Sequence, residues 1–237
     1  MKIVTFQGPE DRPTAGVLSG DQVISLAGAG FADTLSLIAG GEDALTRARK
    51  HWEIASPVPL PAVKLKAPIP RPPKVICVGL NYRDHAEESK MEIPTVPTIF
   101  SKFPTSVIGP GDPIVLPKNS RKPDYEAEFA FVIGAGGRPW LVTADEIGDP
   151  HALDISITVS GEVLQSSNTR NLIFRIPDLI AYLSSVFTLE PGDIVSTGTP
   201  SGVGFARKPP RWLRPGDEVV VAVQGLGELR NPVVAEQ

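Results

Sequence analysis

Cysteine is almost absent from this sequence of 237 residues, which contains only Cys77. A single thiol cannot form a disulfide within the chain, so the fold must be stable without one. Cys77 lies in the apolar stretch KVICVGL, a pattern typical of a buried strand. We therefore interpret it as a core thiol rather than as a catalytic nucleophile.

Long hydrophobic runs and an excess of basic residues are absent as well. The longest apolar stretches, such as VICVGL, are far shorter than the roughly 20 residues of a membrane-spanning helix. The net charge is −4 and no basic stripe is visible, which disfavours a nucleic-acid-binding protein. Because MKIVTFQGPEDRP lacks the apolar core of a secretory signal, we expect a cytoplasmic protein with neither a membrane nor a nucleic acid as partner.

The order of strand and helix patterns predicts two domains and an α+β fold class. Residues 1–65 are predicted to form a small N-terminal domain, with strands at KIVTF and GVLSGDQVISL, a turn near Gly20 and Asp21, and one or two helices. Residues 70–237 are predicted to form a mostly β domain with some α, because only two helical patterns, at TADEIGD and PDLIAYLSSVF, interrupt its strands. Strands and helices do not alternate regularly, which argues against a doubly wound parallel sheet.

The stretch DYEAEFAFVIG combines a strand pattern with neighbouring acids. Residues i and i+2 of a strand lie on one face, so Glu126 and Glu128 are predicted side by side, with Asp124 one step earlier. Adjacent carboxylates repel each other, and burial strengthens the repulsion. One interpretation is a solvated face of an antiparallel strand. The other is a site for a hard divalent cation, whose charge would cancel the repulsion.

A histidine and a glutamate occur close together in GLNYRDHAEESK. Asn81 is a good helix N-cap, and a helix that begins there places His85 and Glu88 on one face, three residues apart. A carboxylate bound to one imidazole nitrogen fixes the tautomer and leaves the other nitrogen as a base near neutral pH. The alternative is a surface helix on which both side chains are simply solvated.

Two loops offer groups that could bind an anion. GDIVSTGTPSGVG contains the hydroxyls of Thr197 and Thr199 and closely spaced glycines, whose backbone N–H groups could approach an anion. It lacks the lysine of a phosphate-binding P-loop, which disfavours nucleotide binding, and a tight surface turn is the alternative. SKFPTSVIGPGDPI places Ser101 and Lys102 at a strand end, where Lys102 is either a cation for a carboxylate or simply exposed.

Taken in order, these motifs closely resemble the fumarylacetoacetate hydrolase family. The resemblance extends from Lys74 to the C-terminus and is carried by VGLNYRDHAEE, PTIFSKFPTSVIGPGDPI, PDYEAEFAFVIG, VSGEVLQSSNT and IAYLSSVFTLEPGDIVSTGTPSGVGF. It implies a mixed β-roll catalytic domain with a small N-terminal domain, paired as a homodimer. It also implies Mg²⁺ or Mn²⁺ as cofactor, with Ca²⁺ possible in crystals.

The resemblance further implies roles for individual residues. Glu126 and Glu128 correspond to the metal ligands of the family. His85 and Glu88 correspond to its general-base pair, which lies on a segment that orders over the substrate. The residues expected to bind substrate are Arg83, Ser101, Lys102 and Thr199.

The activity implied by the resemblance is metal-dependent chemistry on small 2-oxo or enol dicarboxylates or on acylpyruvates, through an enolate. The reaction would be an isomerisation, such as that of 5-carboxymethyl-2-hydroxymuconate delta-isomerase, or hydrolysis of a C–C bond. Oxaloacetate decarboxylation on the same scaffold is an alternative, because a fold does not select one activity. A catalytically silent homologue that binds a metabolite is the other.

One departure from the family pattern affects the site. After FVIG the family continues for some tens of residues with a third metal carboxylate and with a glutamine and a lysine that face the substrate, whereas this sequence continues directly with AGGRPWLVTADEI. Either a segment of the natural protein is missing from this sequence, which we favour, or the protein has lost it and binds metal weakly, since affinity for hard cations follows ligand charge. Asp124 or Asp145 could then be recruited as a ligand.

Overall fold

The computed structural model describes residues 1–8, 12–135, 143 and 146–237. Within these residues the chain forms an N-terminal unit with one sheet and a larger unit with two sheets. The α+β fold class expected from the sequence is confirmed, since strands predominate and helices are few and short. None of the helices in the described part of the chain is long and apolar enough to cross a membrane.

The N-terminal unit is an antiparallel sheet covered by two helices. Its described strands are β1 (Lys2–Gln7), β2 (Pro13–Ser19), β3 (Gln22–Ser25), β4 (Val58–Pro59) and β5 (Leu65–Lys66), in the order β4-β3-β2-β1-β5. The hairpin predicted near Gly20 and Asp21 is confirmed, because Ser19 pairs with Gln22 across that turn. Helices α1 (Thr34–Ala39) and α2 (Gly41–Trp52) follow and bury Leu37 and Leu45 against the sheet.

The larger unit contains two sheets in its described residues. The first has the order β11-β10-β13-β14-β8 and the second the order β7-β6-β12-β9. Their strands are β6 (Val75–Gly79), β7 (Thr98–Lys102), β8 (Ile114–Leu116), β9 (Ala130–Val132), β10 (Asp154–Val159), β11 (Glu162–Asn168), β12 (Ile194–Ser196), β13 (Glu218–Val223) and β14 (Gly227–Ala235). Parallel pairs, β6 with β12 and β8 with β14, occur beside antiparallel ones, as expected for a mixed sheet.

One apolar core joins both sheets of the larger unit. It contains Phe129 and Phe131 near β9, Ile155 and Ile157 of β10, and Leu179 of helix α4 (Ile176–Val186). Helix α4 confirms the helix predicted at PDLIAYLSSVF, with a proline in its first turn and with Ile176, Leu179 and Leu183 buried. In the stretch TADEIGD, residues 144 and 145 are not described, and the described residues 143 and 146–149 form no α-helix, contrary to the prediction.

The acid-bearing stretch forms a shorter ladder than its pattern predicts. Regular pairing covers only Ala130–Val132, although burial alternates from Tyr125 onward as in a strand. The backbone ahead of the ladder is satisfied by side chains instead. Gln165 accepts a hydrogen bond from the N–H of Ala127 at 2.8 Å, and the hydroxyl of Thr197 donates to the carbonyl of Phe129 at 2.8 Å. The strand pattern therefore correctly predicts which side chains share a face, but the paired strand is shorter than the pattern predicts.

Candidate active site

The two glutamates of the acid-bearing stretch lie on the face of the β7-β6-β12-β9 sheet that points away from the main core. Phe129 and Phe131 point into the core, so Glu126 and Glu128 share the opposite face with Ala130. Ala130 is paired with Ser196, and Ser196 with Cys77, so the same face continues across three strands. The predicted shared face of the two acids is thus present.

Glu128 is held rigidly by the neighbouring strand β12. Its Oε2 accepts hydrogen bonds from the hydroxyl of Ser196 and from the N–H of Gly198, each at 2.8 Å. Both donors sit at the end of a short strand paired with β9, so the carboxylate position is determined by sheet register. Sequence reasoning missed Ser196, although its place beside the acid-bearing stretch follows from the pairing of β12 with β9.

Glu126 is partly exposed but lies in an electrostatically unfavourable place. Exclusion of water by the surrounding protein raises its pKa, and the neighbouring Glu128 carboxylate raises that pKa further. The positive charge of Lys102 acts in the opposite direction and lowers the pKa of Glu126. The two glutamates therefore repel each other across a shared face, which is the frustration a bound cation would relieve.

Helix α3 (Arg83–Ser89) follows β6 and carries the histidine. Its N-cap is Tyr82, so the expected Asn81 cap is wrong. Asn81 is instead fully buried, where its side-chain amide donates to the carbonyls of Phe174 and Thr197 and its oxygen accepts from the N–H of Phe174. The asparagine thus fixes the start of the helix to the core rather than capping it.

The His85–Glu88 pair has the geometry that the sequence predicts for a base and its orienting acid. His85 Nδ1 and Glu88 Oε2 are 3.4 Å apart, and their side chains are only 11% and 24% exposed. Both oxygens of Glu88 also accept from the N–H of Gly202, at 2.9 and 3.0 Å. With Nδ1 directed at the carboxylate, Nε2 is the nitrogen available as a base.

Helix α3 is attached to the β11 region by a side chain that sequence reasoning missed. Asp84 accepts hydrogen bonds from the hydroxyl of Ser167 at 2.6 Å and from the amide of Asn171 at 3.3 Å. These contacts hold the first turn of the helix and therefore the position of His85. An aspartate at the second position of a short helix gave no sequence signal beyond a favourable first-turn acid.

The glycine-rich segment 198–205 organises three carboxylates at once. Gly198 donates to Glu128, Gly202 donates to Glu88, and the N–H groups of Gly204 and Phe205 donate to Asp124 at 2.7 and 2.9 Å. We call this segment the carboxylate loop. The sequence predicted that its backbone would approach an anion, and the anions in the structure are side chains of the protein itself.

Gly202 cannot be replaced by a larger residue without moving the loop. Its φ is +100°, and an added Cβ would lie 2.1 Å from the carbonyl oxygen of Leu164. The Gly202 carbonyl in turn accepts from the Tyr125 hydroxyl at 3.2 Å. The loop therefore approaches the β11 backbone closely at the point where it holds Glu88.

Asp124 is engaged by backbone donors. Its two side-chain oxygens accept from Gly204 and Phe205, and Oδ1 accepts also from the N–H of Tyr125 at 2.8 Å. Recruitment of Asp124 as a third metal ligand would have to break these bonds. Asp145, the other residue considered for that role, lies outside the described residues.

The predicted substrate-binding residues differ in the face on which they lie and in their exposure. Lys102 shares the face of Glu126, whereas Ser101 alternates to the opposite face, where it is paired with the core residue Ile76. Arg83 is exposed at the first position of α3. The hydroxyl of Thr199 donates to the carbonyl of Ala127 at 3.0 Å, so its single hydrogen is already used.

Gln165 is a further buried side chain that sequence reasoning missed. It donates to the Thr199 hydroxyl at 2.9 Å and to the carbonyl of Pro200 at 2.8 Å, while its own oxygen accepts from Ala127. It thereby ties the carboxylate loop to the acid-bearing stretch. Only a fold, not a local pattern, brings these positions together.

The donor set fits the divalent cation that the resemblance implies. Carboxylate oxygens are the preferred ligands of hard cations, and Glu128 is fixed through Oε2, while the described residues supply no hydrogen bond to Oε1. No group of three or more His, Cys, Asp or Glu side chains in the described ranges has the arrangement of a metal site. The described chain thus offers two carboxylates, and residues 136–142, where the family pattern departs, are not among those described.

A family model matches most of the larger unit. Residues 74–138 and 136–234 match the fumarylacetoacetate (FAA) hydrolase C-terminal model, in two parts that meet where the sequence analysis finds a stretch missing. The oxaloacetate tautomerase Fahd2a, mitochondrial, of Rattus norvegicus is 39% identical over 293 residues, covering 99% of this chain and 92% of the relative. Because 293 exceeds the 237 residues of this chain, at least 56 positions of that alignment face a gap in it.

Solved structures share the whole fold. The maleylpyruvate hydrolase of Sphingobium sp. SYK-6, in complex with manganese(II) and pyruvate, has a TM-score of 0.84 and 29% identity, with 100% of both chains covered. The 5-carboxymethyl-2-hydroxymuconate delta-isomerase of Mycobacterium smegmatis has a TM-score of 0.74 and 28% identity, also with 100% of both chains covered. Because the family model matches residues 74–234, more than half of this chain, the chain belongs to the fumarylacetoacetate hydrolase family.

Proposed function

We propose that this chain is an enzyme that moves a proton on a small 2-oxo dicarboxylate, with keto–enol tautomerisation of oxaloacetate as the first candidate reaction. The observation that carries the proposal is the carboxylate loop, which holds the His85–Glu88 pair and Glu128 through neighbouring backbone donors. The partner of the proposed base and one of the two proposed cation ligands are thereby fixed on one rigid frame. The tautomerase relative from rat supports oxaloacetate over the other 2-oxo acids expected from the sequence.

The residues of this chain supply the proton transfer. In the proposed tautomer, Nδ1 of His85 donates to Glu88, 3.4 Å away, which leaves Nε2 as the proton acceptor. Nε2 takes a proton from the carbon next to the 2-oxo group and returns it to the oxygen, which converts keto form to enol form without loss or gain of atoms. Lys102, on the face of Glu126, provides positive charge for a substrate carboxylate. A divalent cation at Glu126 and Glu128 would supply Lewis-acid polarisation of the 2-oxo group.

Hydrolysis of an acylpyruvate is the second candidate, favoured by the maleylpyruvate hydrolase among the solved structures. The same Nε2 would then take a proton from water instead of from carbon. Decarboxylation of oxaloacetate and a catalytically silent protein remain the alternatives. A homodimer is proposed from the resemblance alone. A cytoplasmic location is the expectation from the sequence, while the rat relative is named mitochondrial.

The assay that separates these functions measures enol loss and carbon dioxide release from oxaloacetate, and the cleavage of acetylpyruvate. Purified protein with Mn²⁺ or Mg²⁺ should speed the loss of enol-oxaloacetate absorbance without releasing carbon dioxide, and should cleave acetylpyruvate slowly or not at all. His85→Ala should lower kcat by about 10²–10⁴-fold, the usual contribution of a general base, and leave Mn²⁺ affinity unchanged. His51→Ala, in the N-terminal unit, is the matched control. Equal rates with and without protein for every substrate would sink the enzyme proposal.

A further inference from the structure

Asp124 forms a clamp on the far end of the carboxylate loop. Its Oδ1 accepts from the N–H of Gly204 at 2.7 Å and its Oδ2 from the N–H of Phe205 at 2.9 Å. The approach is so close that a Cβ added to Gly204 would lie 2.4 Å from Oδ1 and less than that from the carbonyl oxygen of Arg211. Two charge-assisted hydrogen bonds to consecutive N–H groups fix the backbone of Phe205 in direction as well as in place.

The clamped residue contacts the base. The ring of Phe205 meets the imidazole of His85 edge to face, with the centroids 6.2 Å apart and the planes at 71°. Edge-to-face is one of the arrangements that aromatic pairs prefer, so the contact restricts rotation of the imidazole. Phe205 is 53% exposed, and the structure gives it little role in the core.

The same segment also holds the partner of the base. Gly202 lies two residues before Gly204 and binds both oxygens of Glu88. Displacement of the loop at Gly204 would therefore move the contacts on both sides of His85, the ring of Phe205 and the carboxylate of Glu88. The clamp connects the acid-bearing stretch to the helix that carries the base.

We propose that Asp124 and Phe205 are positioning residues for the base: Asp124 fixes the carboxylate loop, and Phe205 and Gly202 hold His85 and Glu88 in their productive arrangement. The kinetic part of this inference rests on the proposed function, whereas the geometric part does not. It also assigns Asp124 a role other than that of the third metal ligand.

Nuclear magnetic resonance of the imidazole groups tests the geometry directly, because the chain has only three histidines. Asp124→Asn and Phe205→Leu should each displace the His85 resonances and leave those of His51 and His151 in place, since a ring that moves changes the local ring-current shift. Asp149→Asn is the matched control. Asp149 accepts from the N–H of His151 at 2.9 Å, so this variant should displace His151 alone.

Mn²⁺ titration and kinetics complete the test. Asp124→Asn should keep the Mn²⁺ dissociation constant within about 2-fold of the wild type and should lower kcat at least about 10-fold, with a smaller change in KM. A loss of Mn²⁺ affinity as large as that of Glu126→Gln would overturn the proposal, because Asp124 would then be a ligand. Unchanged His85 resonances in both variants would overturn it as well.

The positioning role can still be tested if Asp124→Asn does not fold or if the wild-type protein shows no turnover. Should Asp124→Asn not fold, the half-exposed Phe205 offers a variant that leaves the core intact, and its His85 resonances and kcat decide alone. Should the wild-type protein show no turnover, the proposed function fails, while the resonances and the Mn²⁺ titration still accept or reject the positioning role.

Discussion

At the scale of single residues, two carboxylates of the site lie where their negative charges repel each other. Glu126 and Glu128 are neighbours on one face, and the charge of Glu128 disfavours ionisation of Glu126. Glu128 is compensated by Ser196 and by the N–H of Gly198. The positive charge of Lys102 acts against this repulsion at Glu126. Such a pair is expected at a ligand site, because two repelling carboxylates do not stabilise a fold.

The first prediction follows from this repulsion. Glu126→Gln should raise the Tm of the metal-free protein by about 2 °C, since solvent screening limits the relieved repulsion to about 1 kcal/mol or less. The same change should weaken Mn²⁺ binding by about 100-fold or more and abolish metal-dependent turnover. Calorimetry without metal and Mn²⁺ titration measure the two effects.

Glu228→Gln on exposed β14 provides the control for this prediction. It removes a charge that lies 3.6 Å from Arg230 at the surface and should change neither quantity measurably. A metal-free Glu126→Gln protein less stable than the wild type would contradict the claim that the two acids repel each other in the folded state.

At the scale of elements, one loop contacts carboxylates from separate segments of the chain. The carboxylate loop leaves β12, passes Glu128, reaches helix α3 at Glu88 and ends on Asp124. Its backbone, rather than its side chains, makes these contacts, so its geometry depends on residues that permit close approach. Gly202 is the position where both φ and the approach of Leu164 leave no room for a side chain.

The second prediction compares two glycines with similar backbone angles. Gly202→Ala should destabilise the protein by about 1 kcal/mol for its left-handed φ and by roughly 1–3 kcal/mol more for the contact with Leu164. It should also lower kcat, because Glu88 would lose its backbone donor. Gly216→Ala is the control, since Gly216 has a φ of +92° with nothing within 4 Å of an added Cβ.

Urea unfolding and the kcat of both variants check this prediction. We expect Gly216→Ala to lose about 1 kcal/mol of unfolding free energy and to keep its full activity. Equal losses of stability in the two variants, or full activity in Gly202→Ala, would show that the close approach to Leu164 has no consequence for the base.

At the scale of the whole molecule, an ion pair joins Arg211, which follows the carboxylate loop, to Asp217, which directly precedes β13. Arg211 donates to Asp217 at 2.7 Å, and Asp217 accepts also from the hydroxyl of Ser160 in the β10–β11 turn. Burial alone would raise the pKa of Asp217, but the hydrogen bonds from Arg211, Ser160 and the N–H of Arg214 together lower it. The side chain is only 11% exposed, so screening by solvent is small.

The third prediction concerns the pH dependence of stability. Because the folded-state pKa of Asp217 is lowered, its contribution is fully present above the unfolded pKa of about 4 and is lost as the pH falls through the folded value. Asp217→Asn should therefore cost about 2 kcal/mol at pH 7, and the difference from the wild type should shrink below about pH 4.

Urea unfolding at a series of pH values measures this difference. Asp21→Asn, in the exposed turn between β2 and β3, is the control and should follow the wild type throughout. A difference between wild type and Asp217→Asn that grows as the pH falls would have the wrong sign and would reject the assignment.

Local patterns predicted much of this molecule, and their failures have physical causes. Alternation correctly separated the faces of Glu126 and Phe129, and the i, i+3 spacing correctly joined His85 to Glu88. The Asn81 cap was wrong because a buried amide found three backbone partners in the core instead. Such partners come from remote segments and leave no trace in a local pattern.

The contributions of Ser196, Gln165 and Asp84 were missed for the same reason. Each acts through a partner more than thirty residues away in the chain. Strand pairing and helix docking, not spacing, bring such residues together. The third carboxylate expected from the resemblance is a different case, because it would lie in the segment that is missing from this sequence after FVIG.

The carboxylate loop limits how the sequence of this protein can change during evolution. Since one short stretch of backbone holds both Glu128, the proposed cation ligand, and Glu88, the partner of the proposed base, a change in its path would alter the two proposed functions together. Exposed side chains outside the loop escape this constraint, because they can vary without shifting its backbone. Adaptation to a new substrate should therefore accumulate in side chains outside the loop, while the loop itself and the proposed positioning residue Phe205 stay unaltered.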